Sequence, residues 1–198
     1  MMVFCRNGFL VQHLYDTPYG METTTRTCGY LGLSARKSNP LSVLSDEESR
    51  ELSREAEWRD VSAQEAILLE FISDPGILLR YVKVCQKKNI PIRLLFVESD
   101  YDGEVWIGPD IPKQFLGYEY NTIPIDNQII TDLSWYAPLA PFLNRLNRWG
   151  LFSALNEVTE FKDAYNKAFA QDEIGDGNME THIFRLYEVQ TDDILRIL

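Results

Sequence analysis

The run "IPIRLLFVES", Ile90–Ser99, decides how the rest of the chain is read. A strand with one wet face alternates apolar and polar residues. This run is nearly continuous in apolar residues, so it reads as a central strand covered on both faces. Downstream, "DYDG" (Asp100–Gly103) reads as a tight hairpin turn, because Asp and Gly tolerate the backbone angles such turns need. "EVWIG" (Glu104–Gly108) then reads as a second strand and "FLGYEY" (Phe115–Tyr120) as a third. Upstream, Asp74-Pro75 starts a helix: Asp caps, and Pro takes the first helical position, where its missing N–H costs nothing. That helix, "GILLRYVKVCQKKN", is expected to bury Leu78, Leu79, Val82 and Cys85. Arg80, Lys83, Lys87 and Lys88 stay in water, the last two suiting the negative end of the helix dipole.

Further out, the N-terminal "GFLVQHLYD" and "TTTRTCGYLGLS" are rich in β-branched and aromatic residues, with "TPYG" between them as a turn, so a hairpin is expected. The polar, Pro-broken "ARKSNPLSVL" is a connector. Ser45 with Glu48, and Ser62 with Glu65, are capping-box pairs that open a polar surface helix and the short amphipathic helix "AILLEFI". Beyond the long apolar connection "NTIPIDNQIITDLSWYAP", "LAPFLNRLNRWG" reads as a helix stopped by Gly150. Ser153 is expected to cap "ALNEVTEFKDAYNKAFA", whose apolar residues at 155, 158, 161, 165 and 169 recur at helical spacing. "HIFRLYEVQ" alternates like a half-buried strand, and "DDILRIL" is a short apolar helix or tail. The expected class is α+β, a mostly antiparallel sheet packed with several helices as a single domain. Residues 1–44 form an N-terminal hairpin-like extension and connector, and residues 45–198 the main body.

Composition narrows the chemistry. Thirty acids against 19 Lys and Arg give a net charge of −11, which argues against direct nucleic-acid binding because phosphate contacts need basic patches. The apolar runs fall short of the roughly 18–20 residues that span a bilayer, and no secretory leader is evident, so a cytoplasmic protein is expected, away from membranes. Cys5, Cys28 and Cys85 are widely spaced free thiols with no Cys-x-x-Cys. The two histidines, His13 and His182, lack a second ligand at metal-binding spacing. "DYDGEVWIGPDI" has acids at positions 1, 3 and 5 of an EF-hand loop, but Val105 stands where Gly is required and Ile111 where the bidentate Glu belongs. Phosphate-binding glycine loops and the Gly-x-Ser-x-Gly nucleophile elbow are absent. The expectation is a protein that is not an enzyme, with no catalytic residues, metal or cofactor.

Charge is unevenly spread. Residues 46–75 carry 10 acids and 3 bases, and residues 98–132 carry 8 acids and only Lys113. The first segment is accounted for by helix capping and a solvated helix face. In the second, acids alternate with Tyr101, Trp106, Phe115, Tyr118 and Tyr120, outside any helix. Aromatic side chains supply contact area at low entropic cost, and rim carboxylates steer and orient a basic partner. The expected docking face therefore comprises Asp100, Asp102, Glu104, Trp106, Asp110, Tyr118, Glu119 and Tyr120.

The order "IPIRLLFVES…FLGYEY…LNRLNRWGLFSALNEVTEFKDAYNKAF…HIFRLYEV", over about residues 78–190, resembles the small immunity proteins of bacterial polymorphic toxin systems, including contact-dependent growth inhibition. In that family a "FLGYE/D" strand is often followed by a variable loop, a helix bearing "GLF" and a closing strand. The resemblance implies a cognate toxin domain as partner, very often a nuclease with a basic cleft, neutralised by stoichiometric binding. It transfers no binding residue, because these interfaces differ between cognate pairs. The alternatives are a small carboxylate-dependent hydrolase and an acidic adaptor module that binds another protein.

Overall fold

The computed structural model describes residues 2–13, 71–89, 91–103, 105–122, 137–170 and 181–198. Its elements are β1 (Cys5–His13), α1 (Pro75–Lys87), β2 (Ile92–Ser99), β3 (Gln114–Thr122), a 3-10 helix (Ala140–Arg145), α2 (Leu155–Ala170), β4 (Thr181–Val189) and α3 (Thr191–Ile197). The strands make one antiparallel sheet in the order β1-β2-β4-β3, and with the helices this is an α+β fold. Of the described residues, those in 2–13, 71–115 and 187–198 form one compact unit and those in 116–186 another. The second strand of the expected N-terminal hairpin, the connector with the 44/45 boundary, the polar helix from Ser45 and the 123–136 connection all lie outside the described residues. So does most of "AILLEFI", whose last two residues, Phe71 and Ile72, are not helical, Ile72 forming a β-bridge to Phe9.

In the first unit, β2 is an interior strand with Leu94, Leu95, Phe96 and Val97 all buried, as a run apolar on both faces requires. Its partner on one side is β1, from the segment read as an extension, in antiparallel register from Cys5 opposite Ser99 to His13 opposite Ile92. The register slips between Arg6 and Gly8, leaving Asn7 as the extra residue of a bulge. Asn7 is fully buried and satisfied there: its Oδ1 accepts from Ser99 Oγ at 2.6 Å, and its Nδ2 donates to Tyr101 O at 3.4 Å.

The bulge also opens the outer edge of β1. Gly8 has φ +135°, and a Cβ there would stand 2.5 Å from the carbonyl oxygen of Ile72. Without one, Ile72 closes on Phe9 through reciprocal main-chain bonds of 3.0 and 2.9 Å. Three residues later α1 begins as expected, with Ile77 N–H donating to Asp74 Oδ1 at 2.9 Å and Pro75 in the first turn. Its buried stripe is Ile77, Leu78, Tyr81, Val82 and Cys85; Tyr81 takes the core place assigned to Leu79, which is only partly buried. α1 packs on α3, which contributes Ile194 to the same core.

In the second unit, "LAPFLNRLNRWG" departs from the expected α-helix. It makes only a 3-10 turn, after which the Asn147 side chain takes over. Asn147 Oδ1 accepts from Trp149 N–H (2.8 Å) and Leu151 N–H (3.2 Å), and its Nδ2 donates to Leu116 O (2.9 Å). A short amide that satisfies nearby main-chain donors competes with helix formation, and Gly150 at φ +72° completes the turn. Phe152 then bonds Tyr118 of β3 through main-chain contacts of 2.8 and 2.9 Å. Gly117 beside it has φ +153°, and a Cβ would meet Leu151 Cβ at 2.6 Å.

At the start of α2, Glu157 Oε2 accepts from the N–H groups of Ser153 and Ala154, each 3.1 Å away. This is the carboxylate half of a capping box, standing where a Ser153 hydroxyl cap was expected. Val158 and Phe161 of α2 are buried as expected, and Phe161 joins an aromatic cluster with Phe142, Phe152, Tyr165 and Tyr120.

Because Gly8 combines a left-handed φ with backbone crowding, Gly8→Ala is expected to lower stability by about 2–4 kcal/mol. Urea denaturation measures it, with the loss appearing as a shifted midpoint at unchanged m-value.

Candidate docking surface

Residues 105–108 of "EVWIG" are not in a strand and residues 101–103 of "DYDG" are irregular, so the expected hairpin is absent among the described residues. Residues 100–103 and 105–113 are irregular, between β2 and β3. The reason lies in where the amides go. Trp106 N–H donates to Arg6 O of β1 at 2.7 Å and Ile107 N–H to Ser73 O at 3.3 Å, so consecutive donors are bound to two different parts of the chain instead of one neighbouring ladder. The Trp106 ring is 4 % exposed and sits edge-on to Phe9 and Phe96, with centroids 5.0 and 6.2 Å away. Its indole N–H donates to Pro109 O at 2.9 Å, which folds the segment back on itself. Ile111 enters the same core.

Polar contacts hold the two ends. At the start, Tyr101 N–H donates to Ser99 Oγ at 3.2 Å, and Asn7 reaches Tyr101 O. At the far end, Lys113 Nζ lies 3.0 Å from Glu98 Oε1 and 4.1 and 4.6 Å from the ring centroids of Phe96 and Tyr187. Tyr187 O–H donates to Glu98 Oε2 at 2.9 Å. A partly buried ammonium held by a carboxylate and two aromatic faces is well fixed. Between the ends, Arg6 pairs with Asp110 at 2.7 Å.

The eight residues expected to form one face are thus placed very differently. Asp102 and Asp110 are exposed and Asp100 half-buried, while Glu104 lies outside the described residues. Trp106 is core. In the second unit, Tyr118 is half-buried, and Glu119 and Tyr120 are buried. Tyr120 packs on Phe161 and Tyr165, and its hydroxyl donates to Asn166 Oδ1 at 3.1 Å. Trp106, Glu119 and Tyr120 therefore present no side chain to a partner in this conformation. The sequence reading missed Val105 and Ile107, the neighbours of Trp106, which are 51 % and 74 % exposed. Trp106 faces inward while the side chains on either side of it face outward.

Glu119 is a separate feature. Burial holds its carboxyl well above the ordinary range, at about 8, against a smaller opposite pull from the hydrogen bond that Asn121 Nδ2 donates to Oε1 at 3.1 Å. Oε2 is buried without a hydrogen-bond partner among the described residues. Elsewhere, burial pushes the Cys85 thiol up, the reverse of what a nucleophilic cysteine needs. Among the described residues, no group of three or more His, Cys, Asp or Glu could hold a metal ion, and no helix is long and apolar enough to cross a membrane.

No protein-family model, curated protein or solved structure matches this chain.

Two outcomes are expected from these residues. Trp106→Ala removes a core ring and costs about 3–5 kcal/mol of stability, measured by denaturant unfolding. Glu119 affects the pH dependence. Its folded pKa, about 8, lies above the ordinary 4.5, so the folded chain holds the extra proton across that window. The contribution to stability is full below pH 4.5, falls as pH rises through 8, and is steepest at about 1.4 kcal/mol per pH unit. Glu119→Gln removes that slope, so the difference between wild-type and variant unfolding free energies should widen with pH and level off above 8.

Proposed function

We propose that the chain is an immunity protein that acts in the cytoplasm, binding and neutralising a cognate bacterial toxin domain with a basic surface, a nuclease being the expected kind. The observation that carries this reading is the set of contacts that holds residues 106–113 of an acid-rich stretch in a chain of net charge −11. An inhibitor gains affinity when its contact surface is ordered before binding, because less entropy is lost on association. Its carboxylates raise the encounter rate with a basic partner and fix its orientation. Binding alone achieves neutralisation, so no cofactor or bond-making step is required of the chain.

Calorimetry against the product of the neighbouring gene should give one-to-one association at about nanomolar Kd or tighter, typical of stable inhibitor interfaces. The association rate should fall steeply as salt rises from about 0.05 to 0.5 M, as screening of opposite charges requires. No heat of binding would rule the reading out.

A further inference from the structure

We infer that Val105 and Ile107 are the apolar anchors of the interface, filling a recess in a basic protein surface whose Lys and Arg side chains meet Asp102 and Asp110. This rests on the inhibitor reading above and adds where the partner is gripped. Scattered exposed aliphatic residues are ordinary on protein surfaces. These two differ in being aimed. The residue between them is locked in the core, and the amides of Trp106 and Ile107 are bound to Arg6 and Ser73, so both side chains leave the surface from fixed main-chain positions. Such anchors lose little freedom on binding.

The surroundings indicate the chemistry of the occupant. Among the described residues of 98–113 there are four acids and one base; that base, Lys113, is drawn in against Glu98 and two rings, and the nearby Arg6 is engaged by Asp110. The Asp110 side chain is 88 % exposed even while it meets Arg6, so its carboxylate remains open to a partner's cation. Val3, also exposed, precedes Cys5, which pairs with Ser99 at the end of β2 where this segment begins. An apolar pair with an acidic surround complements a basic rim around an apolar recess. The same acids repel a second copy of an acidic chain.

The test uses the full chain and the product of the neighbouring gene, with association and dissociation rates measured by surface plasmon resonance. The variants are V105S/I107S, each single change, and D102N/D110N. Both aliphatic side chains are exposed, so melting temperatures should stay at the wild-type value. V105S/I107S should speed dissociation about 10- to 100-fold with little change in association, as loss of central anchors does. D102N/D110N should slow association several-fold at low salt, and that difference should vanish near 0.5 M salt, as roughly expected from screening. Tight wild-type binding with unchanged dissociation in V105S/I107S and in both single variants would overturn this inference and leave the inhibitor reading standing. Absence of wild-type binding would overturn both. A wild-type dimer in sedimentation that V105S/I107S dissolves would assign the face to a second copy and also overturn the inference.

Discussion

Trp106 brings together parts of the chain that are far apart in sequence. Its ring leaves water only by lying between Phe9 of β1 and Phe96 of β2, and its indole N–H then needs an acceptor inside that environment, which Pro109 O supplies. From that one burial follow the fold-back of residues 106–109, the main-chain bond to Arg6 and the outward direction of Val105 and Ile107. The ion pairs at Asp110 and Lys113 hold what the ring has positioned. Surface pairs alone contribute little, so the buried ring anchors the segment and the charges only refine its position.

The two units use one device to bring a non-neighbouring main chain up to a strand. Gly8 in β1 and Gly117 in β3 both take φ values that side chains disfavour, and each leaves room where a Cβ would collide with the approaching segment. Ile72 closes on Phe9 in one case and Phe152 on Tyr118 in the other. A strand edge with unpaired N–H and C=O groups invites pairing with another chain, and these short bridges occupy part of each edge locally.

Glu119 contrasts with the buried amide and hydroxyl at Asn7 and Ser99. Asn7 and Ser99 bond each other, and the half-buried Asn147 serves three main-chain groups. Among the described residues, Asn121 donates to one oxygen of Glu119 and the other has no hydrogen-bond partner. Near neutral pH burial keeps it protonated, because an ionised carboxylate in that setting is costlier than a neutral one. The acid of "FLGYEY" therefore lies inside the protein, held by Asn121 and not exposed at the surface.

What the sequence determined by itself was local. Asp74-Pro75 marks a helix start because capping needs only residues within one turn, and α1 begins there. The unbroken apolar run Leu94–Val97 marks a strand covered on both sides, and the spacing of Val158 and Phe161 marks one face of α2. Net charge and its clustering are equally legible, since they are sums over residues. Tertiary structure alone decided the rest. A tryptophan amid acids in a Pro- and Gly-rich segment has no periodicity to say whether it faces in or out; Phe9, nearly a hundred residues away, settles that by packing on it. The same holds for "FLGYEY", where alternation separates Glu119 from its tyrosine neighbours but cannot reveal that the chain covers both faces. Nor does local helical propensity in "LNRLNRWG" reveal that Asn147 will reach Leu116 and divert the chain into a turn. Burial is a property of what lies opposite a residue, and that partner is chosen by the folded chain as a whole.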